Sequence, residues 1–268
     1  MERDRKRKLV NLSQKQLQGI GLALMPFALA VGVFLWYLLV RVADIRPHLL
    51  PPPDLVWAKF TQTLIDGRLF RHSIVTLGEV LAGLGIGALV ASTLGYLLAK
   101  SRPMEQILSP YIVASQSVPT VAIAPLLVIW FGPGLTSKVL ICALIVFFPI
   151  LINTIVGIRS VPEDLRDLMR SLQATRWQTF TLMEFPAALP VLLGGLRIGA
   201  TLSVIGAVVG EFVGGDRGLG FLINEARFRY DTALVFVAVF TLVAMALVLY
   251  GTVVILESRL LAWQHADN

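Results

Sequence analysis

A single cysteine, Cys142, excludes a disulfide within the chain and leaves no basis for a cysteine metal site. The three histidines, His48, His72 and His265, read as loop or tail residues without the helical spacing of a ligand pair. No HExxH pair, GxSxG elbow or Gly-Lys dipeptide occurs, and Gly218-Leu219-Gly220 is a lone GxG. Those absences argue against a zinc protease, a serine hydrolase and a P-loop nucleotidase, so the chain does not read as an enzyme, and no cofactor or metal is expected. Charge is scarce too. Only 15% of the 268 residues are charged against 56% hydrophobic, and the mean hydropathy is +0.76. That leaves too little polar surface for a soluble globule of this size. The composition is that of an all-α integral membrane protein.

A helical span needs roughly 20 mostly apolar residues. Charges and prolines cut the chain into six such spans: 19–40, 74–99, one within 107–137, 139–158, 191–213 and 232–256. The first apolar run is too long for a signal-peptide core and lacks a small-residue cleavage site, so it is expected to stay as a span. An even number of spans puts both termini on one side. Thirteen Lys/Arg residues fall on that side and nine on the other, with a dense cluster from Arg3 to Lys15 before the first span. Positive residues favour the cytoplasm, so both tails and the loop between the fourth and fifth spans read as cytoplasmic. The net charge of +6 and pI near 9.8 express the same anchoring, and no nucleic acid is expected as a partner.

The spans are rich in small residues. Gly83, Gly85, Gly87, Ala91, Ser92 and Gly95 on the second, and Gly194, Gly195, Gly199, Gly206 and Gly210 on the fifth, imply close backbone approach between helices. Pro119 and Pro125 in the third span each remove a helical hydrogen bond and should bend or break it. Ser115, Gln116 and Ser117 nearby offer neutral hydrogen bonding, suited either to a polar solute or to helix contact. Glu79 and Glu211 are costly at membrane depth and should face protein or water. Each either snorkels to the interface or pairs with a nearby Arg, or else serves as a gate or cargo-path residue. Arg197, near the start of the fifth span, reads as an interfacial anchor.

Between the fourth and fifth spans lies the most informative stretch, 164–190. Leu165, Leu168, Met169 and Leu172 recur at i, i+3, i+4 and i+7 and so form one apolar stripe, with Asp164, Arg166, Asp167 and Arg170 on the other faces. This helix is too short and too charged to cross a bilayer. It must lie on the membrane surface or seat in a groove of another protein. Trp177 and Phe180, three apart, supply further anchors.

From Asp167 onward the loop resembles the cytoplasmic E-A-A-x3-G-x9-I-x-L-P loop of permease subunits in bacterial ABC importers. Asp167 stands at the glutamate position, Leu168 and Met169 at the alanines, and Gln173 at the glycine. The end falls on Met183, Glu184, Phe185 and Pro186, without a gap. Other segments are similar to permeases for nitrate, sulfonate and taurine and to relatives importing pyrimidine precursors or riboflavin. They are Leu50-Pro51-Pro52-Pro53, Val118-Pro119-Thr120 leading to Ala124-Pro125-Leu126, Trp130-Phe131-Gly132, Phe148-Pro149-Ile150, Pro186-Ala187-Ala188-Leu189-Pro190, and Glu211-Phe212 followed by Gly218-Leu219-Gly220.

The resemblance implies six transmembrane helices and a cytoplasmic amphipathic coupling loop. It divides the chain into a basic tail (1–18), a first helix with its outer loop (19–73), the permease transmembrane domain (74–258) and a short tail (259–268). It further implies alternating access by two permease copies, as a homodimer in the inner membrane. Two ABC ATPase subunits and an extracytoplasmic substrate-binding protein would be the partners. Leu165, Asp167, Leu168, Met169, Leu172, Gln173, Trp177, Phe180 and Pro186 then couple to the ATPase. Ser115, Gln116, Ser117, Pro119, Pro125, Glu79 and Glu211 are expected along the path. An ion-coupled carrier or channel would need ionisable groups near mid-membrane, where only Glu79 is a candidate. A membrane-embedded enzyme would need convergent His, Asp or Ser groups at depth, and the sequence lacks them.

Overall fold

The structure, a computed structural model, describes residues 26–117 and 119–262, apart from the side chains at 102, 113, 116 and 117. The basic tail expected over 1–18 and the beginning of the first span lie outside the described residues. Among those described, every regular element is a helix. In chain order they are α1 (Pro26–Val42), α2 (Pro53–Ile65), α3 (Arg68–Lys100), α4 (Arg102–Ser117) and α5 (Thr120–Phe131), then α6 (Leu135–Arg159), α7 (Glu163–Ser171) and α8 (Arg176–Thr179). A π-turn (Phe180–Glu184) leads into α9 (Phe185–Gly214), followed by α10 (Leu219–Phe228) and α11 (Thr232–Leu260).

Prolines and caps set these boundaries. Pro52 is extended (ψ 153°) ahead of α2, and Pro53 opens that helix where a missing N–H costs nothing. Asp231 caps α11, its side chain accepting from Leu234 N–H at 3.1 Å. Four helical runs are long and apolar enough to cross a membrane: α3, α6, the unbroken run Arg176–Gly214, and α11. α1 and α5 are apolar but shorter.

The third expected span differs from a single helix. Pro119 is extended (ψ 109°) and caps α5, so the 107–137 region divides into α4, α5 and the start of α6. A proline ring restricts the residue before it and cannot donate to the preceding turn, which is why the chain breaks there. The fifth span also begins earlier than expected. Pro186 has no N–H to bond the carbonyl four residues back, and the chain answers with the wider π-turn, in which Phe185 N–H bonds Phe180 carbonyl. The loop and the fifth helix are thereby one continuous helical run.

α6 is the centre of the fold, with α3 against one side and α9 against another. Small residues make this possible. Gly83, Gly87 and Gly95 present one face of α3 to Cys142, Ala143 and Thr154, while Gly195, Gly199, Gly206 and Gly210 of α9 meet Asn153, Ile150, Cys142 and Lys138. A methyl group on Gly206 would lie 2.7 Å from Cys142 Cα, closer than carbon atoms approach. Gly85 and Gly194 face open space instead. Near α10 an apolar core joins Val80, Cys142, Val204, Leu222 and Val237; nearer α7 a second joins Ala91, Leu98, Val146, Ile150 and Leu151. α1 rests on α11 through Trp36, stacked on Phe236 at 5.4 Å. Exposed Phe240, Val243 and Leu247 on α11 form an outward apolar face of the kind lipid covers.

Candidate functional site

At one end of the molecule the α7–α8 loop projects with its apolar residues bare. Pro162 caps α7, Glu163 and Asp164 complement its N-terminal dipole, and Arg166 donates to Ile158 carbonyl at 2.9 Å, tying the helix to the end of α6. Leu165, Leu168 and Leu172 are 41%, 52% and 67% exposed, and Met169 is half-buried. Asp167 faces solvent and accepts from Arg170 at 3.1 Å. The helix stops at Gln173, which takes the left-handed conformation (φ +51°) usually left to glycine. Gln173 N–H bonds Arg170 carbonyl at 2.9 Å and Ala174 N–H bonds Met169 carbonyl at 3.0 Å, the double bond pattern of a Schellman stop. The tight turn between α7 and α8 is therefore made without glycine. A reciprocal box between Thr175 and Gln178 starts α8.

Trp177 and Phe180 diverge. Trp177 is 72% exposed, whereas Phe180 turns inward among Tyr96 (5.1 Å), Trp177 (5.8 Å) and Phe185 (5.9 Å). Pro186 is half-buried at the start of α9. Just before it, Glu184 is 2% exposed, ion-paired with Lys100 Nζ and accepting from Tyr96 Oη at 3.1 Å.

At the opposite end a buried polar cluster surrounds the start of α10. The first amides of a helix lack intrahelical acceptors, and here side chains from other helices supply them. Gly218 N–H donates to His72 Nδ1 (3.0 Å), Leu219 N–H to Thr76 Oγ1 (2.8 Å), and Gly220 N–H to the Glu211 carboxylate. Thr76 in turn donates to Glu211 Oε1 at 2.6 Å. Gly218 has φ +114°, and a Cβ there would collide with the Glu211 carboxylate, so both backbone and space require glycine. Beside them Lys138 Nζ pairs with Glu79 Oε1 at 2.9 Å, with Asp216 Oδ1 at 4.0 Å. Glu79 and Glu211 are each 1% exposed.

The structure thus encloses Glu79 and Glu211 within the protomer, bonded to its own groups. Glu79 has a lysine, Lys138, as its cation rather than an arginine, whereas Glu211 is held by the Thr76 hydroxyl and the Gly220 N–H. Ser115 donates back to Tyr111 carbonyl (2.6 Å) on an exposed face of α4, and Pro119 and Pro125 are exposed on α5. The side chains of Gln116 and Ser117 lie outside the described residues. Arg197 pairs with Glu257 and lies over the Tyr250 ring at 5.6 Å, so it joins α9 to α11. His72 belongs to α3 and is buried, not in a loop, because α3 starts at Arg68, about two turns before the hydrophobic run. Sequence reasoning missed Lys138, Thr76, His72, Lys100 and Glu184. The available signal for the first was a lone lysine opening a charge-free helix at the same depth as Glu79.

Residues 83–262 match the family of binding-protein-dependent transport system inner membrane components. The chain belongs to that family. It is a multi-pass inner-membrane permease subunit of an ABC importer, it works with ATPase and substrate-binding partners, and ATP hydrolysis resides in the separate ATPase subunit. The permease is 47% identical to the riboflavin transport system permease protein RibX of Chloroflexus aurantiacus over 90% of each chain. It is 34% identical to the formylaminopyrimidine transport permease protein ThiX of Halalkalibacterium halodurans (86% and 91% of the two chains) and 32% identical to the taurine transport permease TauC of Escherichia coli (88% and 87%). Its fold is shared with the inward-facing MetNI methionine ABC transporter (TM-score 0.65, 19% identity, 73% of this chain and 97% of that one).

Proposed function

We propose that the permease couples to its ATPase through the α7–α8 loop, which faces the cytoplasm together with both termini. Six spans, with α1 and the α4–α5 pair supplying the shorter two, complete the transmembrane part over 74–258 and the helix before it. The observation that carries the reading is the bare Leu165/Leu168/Leu172 stripe on a nine-residue helix outside the apolar body. A partner's groove would cover such a stripe and remove it from water. Leu168→Glu is expected to leave the permease in the membrane but to abolish ATPase co-purification and uptake, because a charge in a desolvated interface costs roughly several kcal/mol. Unchanged co-purification and uptake would refute the docking.

A homodimer would bring two α4–α5 segments together across a two-fold axis, and we infer that 115–125, containing Ser115, Gln116, Ser117, Pro119 and Pro125, lines the path. The exposure of Ser115, Pro119 and Pro125 supports it. Ser117→Trp should block uptake with assembly intact; normal uptake would move the path to α3 and α9. Glu79 and Glu211, enclosed as they are, serve this path by holding its outer end in shape. For cargo, similarity at 47% identity to a riboflavin permease favours a flat heterocycle over a sulfonate. Labelled riboflavin, with taurine as the comparison, is the solute pair to assay, and uptake of taurine alone would reverse the assignment.

A further inference from the structure

The Lys100–Glu184 pair stands apart from both the exposed loop and the α10 cluster. Glu184 is the last residue of the π-turn, directly between the loop and α9. Its carboxylate is buried and held twice by α3, by Lys100 Nζ and by Tyr96 Oη, groups one helical turn apart. Lys100 also lies over the Tyr96 ring at 5.6 Å, so the two α3 side chains brace each other. Lys100 is the last residue of α3, and a single residue, Ser101, separates it from α4. A second ionic tie, Arg159 to Glu105, fixes the first turn of α4 to the end of α6.

Two further features suit this joint to motion. The π-turn is a single wide turn in an otherwise continuous helical run, and such turns are frequent at functional sites. Beside it lies a cavity of about 620 Å³ bounded by Tyr96, Thr154, Ile158, Trp177, Phe180 and Phe185, which leaves Phe180 room to move. Because Arg176–Gly214 is one continuous helical run and Glu184 within it is held by α3, displacement of the loop bears on the end of α3.

We infer that Glu184 is a positioning residue that passes movement of the α7–α8 loop to Lys100, and so to the α4–α5 segment. This rests on the reading of that loop as the ATPase contact. Transmission then follows two routes from one carboxylate: along the backbone into α9, and through the ion pair into α3 and α4. Pro186 and Pro190 alone would serve only the first.

The test uses the assembled transporter, permease with ATPase and binding protein, reconstituted in liposomes. Ser109→Cys on exposed α4 and Ser171→Cys on α7 carry spin labels, and distances are recorded without nucleotide and with ATP and vanadate. In the parent protein both labels are expected to move. In Glu184→Gln, which keeps the side-chain shape, the α7 label should still respond while the α4 response is lost. Solute moved per ATP hydrolysed should fall about tenfold, within the usual range of coupling between sites. Lys100→Met, at a half-exposed side chain, should reproduce the loss. A preserved α4 response in either variant overturns the proposal, as does failure of both variants to assemble, which would make the pair a folding element. If Leu168→Glu leaves ATPase docking intact, the loop reading itself fails; if that variant uncouples while Glu184→Gln behaves as the parent, only the transmission role falls.

Discussion

Replacing Lys138 by methionine should be among the most damaging single changes in this permease, and pairing it with a second substitution should undo the damage. Lys138 Nζ lies 2.9 Å from Glu79 Oε1, and the two side chains are 4% and 1% exposed. At an effective dielectric constant near 20 their attraction is roughly 6 kcal/mol, most of which offsets the loss of hydration of both ions. The intact pair therefore adds little net stability. Lys138→Met leaves Glu79 without its cation in a site that also holds Glu211, and a buried charge stripped of its partner costs about 3–5 kcal/mol. The backbone of α9 closes over the position, since a Cβ at Gly210 would sit 3.1 Å from Lys138 Cα, so water has little room to enter and compensate.

At about 2–4 °C per kcal/mol for a chain of this size, the single variant should lose roughly 6–20 °C of melting temperature. Glu79→Met with Lys138→Met should recover at least half of that, because it removes both charges and keeps the volume. Fluorescence-detected thermal unfolding of the detergent-solubilised transporter measures both. A Lys138→Met protein as stable as the parent, or a double variant whose loss equals the sum of the two single losses, would refute the argument.

Two other outcomes follow from the loop and from the orientation. Gln173→Gly should keep ATPase co-purification and relieve about 1 kcal/mol of left-handed strain, whereas Gln173→Val should lose co-purification, since a β-branched residue does not tolerate that conformation; pull-down of the ATPase reads both. Cys142 is fully buried and silent toward reagents, so a cysteine at Ser171 should react only with membrane-permeant maleimide and one at Asp216 with impermeant maleimide added outside; the reverse pattern would invert the topology.

Hydropathy and pattern alone fixed the helical class, the four long membrane helices to within a few residues at most ends, and the stripe on α7, because each depends on the composition and period of one continuous segment. Pro119 announced the break between α4 and α5, although a hydropathy window runs straight across it. The small residues of α3 and α9 were legible as packing residues, yet sequence did not separate Gly83 and Gly87, which meet α6, from Gly85, which meets nothing. Which face a helix turns inward depends on its neighbours. The same limit applied to charge. Glu79 and Lys138 are 59 positions apart, Thr76 and Glu211 are 135 apart, and Lys100 and Glu184 are 84 apart. A carboxylate in an apolar run signals only that some partner must exist, since leaving it alone costs several kcal/mol. The partner is chosen by the crossing of α3, α6 and α9, and only their packing together decided which residues met.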